Sequence, residues 1–362
     1  MWLLYAVCAA AAGYQLAALA AVLRQLLRRE RPATRFPFVS ILKPVHGRDE
    51  FFERAIASHT RIAYPEYEVL YGVNRAEDAA ADAVRAVPGA RLYVSGFVRP
   101  NAKSGNLMEL ERHAKGEVWV VNDGDILVGP EYLRRVVAPL EDPGVGLVTC
   151  LYRAIPQGAP AAWEALGIAV DFAPSTLVAP LVGINEFGLG STLCFRAAEW
   201  KAAGGFDSIS DYLADDYQLA RRLTREQGKR AVMSKVVVDT GACYESWGAM
   251  WRHQVRWART IRVSRAEYAG LPVTHAGLWA LVAGLCGECQ VAYGLIVLRM
   301  VMALASAGVL LRSPLAWGFL LAPVWDLFAF VVWAVGLRGQ TVEWRGRRIR
   351  LRPDGRLAGD AE

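Results

Sequence analysis

The sequence lacks the glycine and cysteine patterns of several common soluble classes. No Gly-x-Gly-x-x-Gly follows its first predicted strand, so a dinucleotide-binding fold is disfavoured. The six cysteines lie mostly in apolar runs, and only Cys286 and Cys289 have metal-like spacing, without a second pair. A disulfide framework is not indicated, and a cysteine metal or redox centre is disfavoured.

Charge is missing from the start of the chain. Met1–Leu23 carries no charged side chain and is long enough to span a bilayer. Basic residues follow this segment from Arg24 onward instead of preceding it, which favours a signal anchor over a cleaved signal peptide. We therefore expect the N-terminus outside and the following domain in the cytoplasm.

Long apolar runs return near the C-terminus. The chain has 362 residues, 54% of them hydrophobic, and the runs Val273–Leu311 and Leu315–Leu337 hold two or three membrane passes. The net charge of +6 is compatible with nucleic acid or an anionic membrane surface. The arginines cluster beside the first and last apolar runs, which favours the membrane. The second cluster comprises Arg345, Arg347, Arg348, Arg350 and Arg352. Its first four members lie in a predicted hairpin over Thr341–Leu351.

Strand and helix patterns alternate between these apolar regions. The alternation predicts an α/β fold with a mostly parallel sheet. The predicted strands are Phe38–Leu42, Tyr67–Val73, Arg91–Ser95, Glu117–Val121, Val145–Cys150, Gly188–Phe195 and Lys235–Val238. Glycines within Gly188–Phe195 indicate a close approach of ligand or backbone there.

Two carboxylates one residue apart follow the buried strand Glu117–Val121. They are Asp123 and Asp125, separated by Gly124 and preceded by Asn122. Ligands of open α/β sheets bind at the carboxyl ends of the strands. An Asp-x-Asp turn there suits a hard divalent cation that also takes phosphate oxygens, as in a nucleotide-diphosphate donor. The alternative is an ordinary turn, because these residue types are common in turns.

A second acidic pair opens the predicted helix Asp211–Glu226. Asp215 and Asp216 complement the positive end of a helix, which is a structural role. Two adjacent carboxylates exceed what a cap requires, so one of them is a candidate general base. The apolar stretch Ala159–Leu181 is open to three interpretations: core, a membrane-lying helix, or the wall of an apolar substrate site.

Tryptophans and basic residues alternate in the predicted helix Trp247–Ala266. Such a helix binds nucleic acid by stacking, or holds a diphosphate at a membrane surface. Arg256 and Trp257 form its central Arg-Trp pair.

The order of these motifs resembles the ceramide glucosyltransferase family, which includes bacterial hopanoid-associated glycosyltransferases. Leu42-Lys43-Pro44 is similar to the family's opening motif, and Asn101-x-Lys103-x-x-Asn106 to its segment near the donor phosphates. Asp78, Asp123 and Asp216 fall at its first, second and third Asp positions, and Arg256-Trp257 at its last motif. His253 stands where that motif begins with Gln or Arg. Asp125 is a further difference from animal members.

The resemblance implies a GT-A fold and specific roles for these residues. Asp216 is implied as the catalytic base, and Asp123 with Asp125 as ligands of Mg²⁺ or Mn²⁺. The residues implied to bind the nucleotide sugar are Pro44, Asp78, Lys103, Asn106, Asp123, Asp215, Arg256 and Trp257. The expected domains are an anchor over 1–23, a GT-A domain over 36–268, a transmembrane region over 273–337 and a basic cytoplasmic tail over 338–362.

The function expected on this basis is a membrane-bound inverting hexosyltransferase. It moves a hexose, glucose by resemblance, from a UDP-sugar to a lipid hydroxyl such as that of ceramide. The expected setting is a bacterial-type inner membrane with the catalytic domain in the cytoplasm and no nucleic-acid partner. One alternative is an N-acetylglucosaminyltransferase acting on a hopanoid polyol. The alternative from another class is a non-catalytic membrane scaffold or nucleic-acid-binding protein.

Overall fold

The computed structural model describes residues 1–344 and 347–360. The chain divides into two compact units, each built from separate segments. The sheet unit comprises Arg29–Tyr152 and Ile184–Gly241. The helical unit comprises Met1–Arg28, Arg153–Gly183 and Ala242–Glu362. Arg345 and Gly346 of the predicted hairpin, and Ala361 and Glu362 of the predicted tail, lie outside the described residues.

The sheet unit contains a mixed eight-stranded sheet. Its strands are β1 Val39–Pro44, β2 Tyr67–Val73, β3 Arg91–Val94, β4 Val118–Val121, β5 Ile126–Leu127, β6 Val145–Gln157, β7 Leu193–Arg196 and β8 Arg230–Cys243. Their order is β3-β2-β1-β4-β7-β6-β8-β5. The first four strands pair in parallel, whereas β7 pairs antiparallel with β4 and β6, and β5 pairs antiparallel with β8. The predicted α/β class is confirmed.

Helices cover both faces of this sheet. They are α2 Glu50–Ser58, α3 Ala79–Arg85, α4 Ala102–His113, α5 Tyr132–Val137, α8 Ala197–Ala202 and α9 Asp215–Thr224. Because side chains alternate along a strand, β4 feeds two cores: Val120 packs in one and Trp119 in the other. Both side chains are fully buried. The carboxyl end of β4 is therefore anchored from both faces, which fixes the turn that follows it.

Several predicted elements have other bounds than expected: β6 continues past Cys150 to Gln157, and β8 extends the predicted Lys235–Val238 to Arg230–Cys243. Two further differences lie near the acidic residues. The strand predicted over Gly188–Phe195 is a strand only from Leu193, because Leu189 and Thr192 bridge a tight turn before it. The helix predicted from Asp211 begins at Asp215. Both differences bring irregular backbone to the carboxyl side of the sheet.

The helical unit contains the long apolar helices. Its helices are α1 Trp2–Leu27, α6 Ala159–Gly167, α7 Ala173–Val178, α10 Trp247–Ser264, α11 Ala276–Leu285, α12 Cys289–Leu304 and α13 Ala322–Gly336. Within residues 1–344 and 347–360, four continuous helical segments are long and apolar enough to cross a membrane: Trp2–Leu27, Ala159–Val182, Cys289–Leu310 and Ala316–Gly336. A bent pair, Ala266–Thr274 with Ala276–Leu285, passes the same test as a broken span. The predicted layout of one N-terminal and two or three C-terminal apolar helices is confirmed.

A three-stranded antiparallel sheet follows the last of these helices. Its strands are β9 Thr341–Trp344, β10 Arg347–Leu351 and β11 Leu357–Asp360. β9 and β10 pair as the predicted hairpin.

An ion pair lies inside the helical unit. Arg299 of α12 and Asp326 of α13 are 2% and 0% exposed, and their closest nitrogen and oxygen atoms are 2.7 Å apart. Arg299 also donates to the carbonyl oxygen of Val170, and Asp326 accepts from the backbone nitrogen of Gly277, both at 2.7 Å. A buried charge needs such partners. The pair therefore links α11, α12, α13 and the segment Ile168–Phe172.

Candidate active site

The turn after β4 carries the two carboxylates singled out from the sequence. The backbone nitrogen of Asp123 donates to the Gly190 carbonyl oxygen at 3.0 Å, and its own carbonyl oxygen accepts from the Lys43 ammonium at 3.0 Å. Asp125 accepts from the Thr240 hydroxyl at 2.5 Å. Burial, followed by the neighbouring Asp123 charge, raises the pKa of Asp125. The turn is thus held by three separate strands or loops of the sheet unit.

Lys103 joins the two acidic motifs. Its ammonium is 2.8 Å from an Asp123 carboxylate oxygen and 2.9 Å from an Asp215 carboxylate oxygen. Burial by itself lowers the pKa of Lys103, but the charges of Asp123, Asp215 and Asp216 together outweigh it and leave the pKa raised. Lys103 therefore stays charged, and it offsets the repulsion between carboxylates from two distant parts of the chain.

The start of α4 places this lysine. Asn101 caps the helix, and its side-chain oxygen accepts from the backbone nitrogens of Lys103 and Ser104 at 2.9 and 3.2 Å. The Asn101 amide nitrogen donates to the Tyr212 carbonyl oxygen at 2.7 Å. The same asparagine thus fixes the first turn of α4 and ties it to the loop that precedes α9.

Asp216 lies in the first turn of α9, next to Asp215 in the chain and close enough to Lys103 for their charges to interact. One of its carboxylate oxygens accepts from the Tyr217 backbone nitrogen at 2.7 Å, and the other from the Gly190 backbone nitrogen at 3.3 Å. Burial and then the adjacent Asp215 charge raise the pKa of Asp216 to about 6. A carboxylate with a raised pKa is a stronger base than an exposed aspartate, which suits proton abstraction near neutral pH.

Gly190 is a site residue that only its glycine-rich context signalled. Its carbonyl oxygen contacts Asp123 and its nitrogen contacts Asp216, so the same peptide segment touches both acidic motifs. A Cβ atom built on Gly190 would lie 2.5 Å from an Asp123 carboxylate oxygen. The close backbone approach predicted for this stretch occurs here, between two parts of the protein.

Lys43 is a second site residue to which the sequence motifs assigned no role. It belongs to the Leu42-Lys43-Pro44 motif and is fully buried at the end of β1. Burial lowers the pKa of Lys43 to about 7, and the opposing effect of the Asp125 and Asp123 charges does not cancel this. Its ammonium lies beneath the Asp123 turn and holds the backbone of that turn in place.

Three other predicted residues lie along the same side of the sheet. Pro44 ends β1, and Asp78 caps α3, accepting from the backbone nitrogens of Ala80 and Gly47 at 3.0 and 2.8 Å. Asn106 is fully buried and donates to the Gly72 carbonyl oxygen at 3.1 Å, which ties α4 to β2. The donor-binding roles of these residues stay predictions.

Arg256 and Trp257 belong to α10 in the helical unit. The Trp257 ring is 4.7 Å from the His253 ring and 6.0 Å from the Phe172 ring, measured between centroids. Their binding roles stay predictions.

The chemistry of the acidic turn fits a hard cation with few protein ligands. Among residues 1–344 and 347–360, no group of three or more His, Cys, Asp or Glu side chains is arranged to hold a metal ion. The Asp123 carboxylate is 42% exposed, so it remains accessible from solvent. Mg²⁺ typically binds through one or two carboxylates, and phosphate and water oxygens complete its shell. Asp123 and Asp125 fit that arrangement.

The fold is similar to that of a solved glycosyltransferase. A mannosyltransferase from Pyrobaculum calidifontis, solved in complex with GDP-Man and Mn²⁺, aligns over 91% of this chain and 96% of its own with a TM-score of 0.55 and 21% identity. At that identity the likeness concerns the fold, which is of the GT-A glycosyltransferase type.

Sequence comparison then gives the family. The model of glycosyl transferase family 21 matches residues 3–357, so the chain belongs to this family. Ceramide glucosyltransferase 1 of Caenorhabditis elegans is 25% identical over 227 residues, which are 60% of this chain and 48% of that protein. Ceramide glucosyltransferase 3 of the same organism is 27% identical over 211 residues, 55% and 45% of the two chains. The chain thus spans about half the length of these relatives. The predicted family is confirmed.

Replacing Gly190 tests the close approach between the two acidic motifs. We expect Gly190→Ala to lower the free energy of unfolding by about 1–3 kcal/mol, because the added methyl group forces the Asp123 side chain or the loop to move. Thermal unfolding of the purified protein in detergent measures this. Gly129→Ala is the matched control, since a Cβ there meets nothing within 4 Å. Equal stability of both variants would contradict the Gly190 geometry.

Proposed function

We propose that the chain is an inverting glycosyltransferase that moves a hexose from a UDP-sugar to a lipid hydroxyl. The observation that carries the proposal is the Lys103 ammonium between Asp123 and Asp215, with Asp216 beside it. Membership of glycosyl transferase family 21 and the GT-A-type fold support the same activity. An array of alternating charges at the carboxyl ends of parallel strands suits a nucleotide diphosphate.

In this mechanism Asp216 accepts the proton of the acceptor hydroxyl as that oxygen attacks the anomeric carbon. The bond to the donor phosphate breaks on the opposite face, which inverts the configuration. Lys103 stabilises charge that develops on the leaving diphosphate. Asp216 is suited to the base role because its pKa is raised while the charge of Lys103 keeps it ionised near neutral pH. No covalent intermediate with the enzyme is needed.

Asp123 and Asp125 would hold Mg²⁺ or Mn²⁺ against the donor phosphates. When bound, such an ion offsets negative charge on the diphosphate leaving group. Of the two carboxylates that pair with Lys103, that of Asp123 is the more exposed. The Lys43 ammonium donates to the backbone of the same turn and holds it in place. The Mn²⁺ named for the mannosyltransferase of similar fold supports a divalent ion.

The remaining predicted donor contacts belong to this proposal. Pro44 at the end of β1 and Asp78 at the start of α3 would bind the nucleotide. Asn106 would hold α4 in place for Lys103. Arg256 and Trp257 would bind the nucleotide sugar, as the family resemblance implies. These roles rest on the positions of the residues in the family's motifs.

The lipid acceptor and the membrane setting are supported by the apolar helices. Four segments of the described part of the chain have the length and composition of membrane spans, and the relatives are named ceramide glucosyltransferases. We therefore propose an integral protein of a bacterial-type inner membrane with a cytoplasmic catalytic domain. The proposed domains remain 1–23, 36–268, 273–337 and 338–362. Glucose and ceramide, or a similar lipid alcohol, are the first substrates to test.

A nucleic-acid-binding role for α10 has less support. Arg259 and Arg262 donate to carbonyl oxygens of Arg338, Leu337 and Gly339, where α13 ends. Cationic side chains at a helix C-terminus satisfy carbonyl groups that lack helical partners. Two of the basic residues of α10 are therefore engaged within the protein.

A lipid-product assay tests the proposal. Membranes carrying the protein receive UDP-glucose or UDP-N-acetylglucosamine, Mg²⁺ or Mn²⁺, and ceramide or a hopanoid polyol. We expect a glycolipid from the wild type and a loss on the order of 10²–10⁴-fold in Asp216→Asn, because the variant lacks the base. Mass spectrometry of the lipid extract measures the product.

The pairing that gives product identifies the substrates. Glucosylceramide supports the first choice, and an amino-sugar hopanoid keeps the mechanism but changes donor and acceptor. Asp211→Asn is the matched control, since Asp211 is an exposed carboxylate four residues before Asp215. Normal turnover by a folded Asp216→Asn variant would refute the assignment of the base.

The pH dependence of the reaction tests the same residue independently. Only ionised Asp216 accepts a proton, so kcat/KM should fall about tenfold per pH unit below roughly pH 6 and level off above it. The sign follows from the raised pKa, which places the loss at higher pH than for an exposed aspartate. A rate that stays constant from pH 7 to pH 4.5 would contradict this role.

A further inference from the structure

Glu164 is a buried carboxylate in one of the apolar helical segments. It lies in α6, within the span candidate Ala159–Val182, and is 3% exposed. Burying a carboxylate is costly unless hydrogen bonds compensate it. Neither the predicted sites nor the family motifs give this residue a role, so its partners indicate what it does.

Three side chains contact the Glu164 carboxylate. The Tyr244 hydroxyl donates to one of its oxygens at 2.5 Å. The other oxygen accepts from the Gln254 amide at 2.8 Å and lies 2.9 Å from the Nδ1 atom of His253. The Tyr244 oxygen is also 2.9 Å from the same Nδ1 atom. One carboxylate therefore ties α6 to the segment after β8 and to α10.

This arrangement fixes the tautomer of His253 and the orientation of its ring. Because Nδ1 faces a carboxylate that only accepts hydrogen bonds, Nδ1 carries a proton. The other ring nitrogen, Nε2, has no hydrogen-bond partner in the described part of the chain, and the side chain is 22% exposed. The Glu164 carboxylate thus holds an imidazole whose Nε2 atom is available to a ligand.

The surroundings of this imidazole are aromatic. The ring of Trp257 lies one turn further along α10 at 4.7 Å between centroids, and Phe172 contacts Trp257 from the helix that carries Glu164. A single oriented polar atom among apolar and aromatic side chains is typical of a small-molecule site. Because Glu164 and Phe172 lie in a segment with the composition of a membrane span, a lipid headgroup matches this imidazole better than a fully polar metabolite does.

We propose that Glu164, Tyr244 and His253 form a hydroxyl-binding subsite for the lipid acceptor, in which Nε2 of His253 contacts the headgroup. Glu164 and Tyr244 are then positioning residues that act through the histidine. This inference rests on the proposed function, because an acceptor is required only if the chain glycosylates a lipid. The subsite takes an amphiphile with a hydroxyl group near its apolar chains.

Glu164→Gln tests the positioning role. A glutamine keeps the size of the side chain but presents an amide nitrogen or an uncharged oxygen to Nδ1, so the imidazole loses its charged acceptor. We expect the KM for the lipid acceptor to rise on the order of 10- to 100-fold, as for loss of a hydrogen bond to a charged group, while the KM for the UDP-sugar stays within about twofold. Steady-state kinetics with each substrate varied separately measure this split.

A double-mutant cycle shows whether Glu164 acts through His253. His253→Ala removes the imidazole and leaves no polar group in its place, so the further addition of Glu164→Gln should change the acceptor KM by less than about twofold. Tyr244→Phe keeps the ring but removes the hydroxyl, and it is the second variant should Glu164→Gln fail to fold. Glu343→Gln is the matched control, because that carboxylate pairs with Arg252 on α10 in an exposed ion pair.

The outcomes separate the subsite from the wider function. Active wild type with unchanged acceptor KM in Glu164→Gln and Tyr244→Phe overturns the subsite and leaves the glycosyltransferase standing. Fully additive effects in the cycle, or equal changes in donor and acceptor KM, overturn it as well. Wild type without glycolipid product in every pairing overturns the proposed function and the subsite with it.

Discussion

The acidic site depends on one ammonium group. Asp123 follows β4 and Asp215 begins α9, and these two parts of the chain are brought together around the Lys103 side chain. Without a cation between them, these two carboxylates and the neighbouring Asp216 would repel one another. Lys103 offsets that repulsion, so these carboxylates can lie close together. In the proposed function, a divalent ion and a diphosphate would extend the same alternation of charge.

Much of the fold is encoded in short-range sequence patterns, and the strands and helices can be predicted from them. The strand predicted over Tyr67–Val73 has the observed bounds, because a mostly apolar run with Val69, Leu70 and Tyr71 at its centre lies between turn signals. The stretch Gly188–Phe195 was harder, since its glycines allow a turn that sequence periodicity cannot distinguish from a weak strand. The predicted helix begins at Asp211, four residues before the observed start of α9 at Asp215, for a similar reason. Acidic residues before a helix and inside its first turn give the same signal.

The site was predictable in part. Motif order gave Asp123, Asp216 and Lys103, and the structure brings Lys103 and Asp123 into contact. The role of each remains a proposal. Sequence spacing could not reveal that Lys103 also pairs with Asp215, because that contact crosses more than 100 positions. Sequence spacing also could not reveal the role of Lys43, because that role depends on the complete burial of its side chain beneath the Asp123 turn. Contacts of this kind depend on how distant segments pack, and local pattern carries no information about them.

Metal-dependent binding of UDP is the most direct measurement of the central claim, that the Asp123 turn is the diphosphate site. Thermal unfolding is followed with UDP, with Mn²⁺, and with both. We predict that the wild type is stabilised only by the combination, by about 2.7 kcal/mol when ligand is at 100 times its Kd. Asp123→Ala should lose this stabilisation, whereas Asp211→Ala should keep it. Equal stabilisation of Asp123→Ala, or binding that does not require Mn²⁺, would contradict the account.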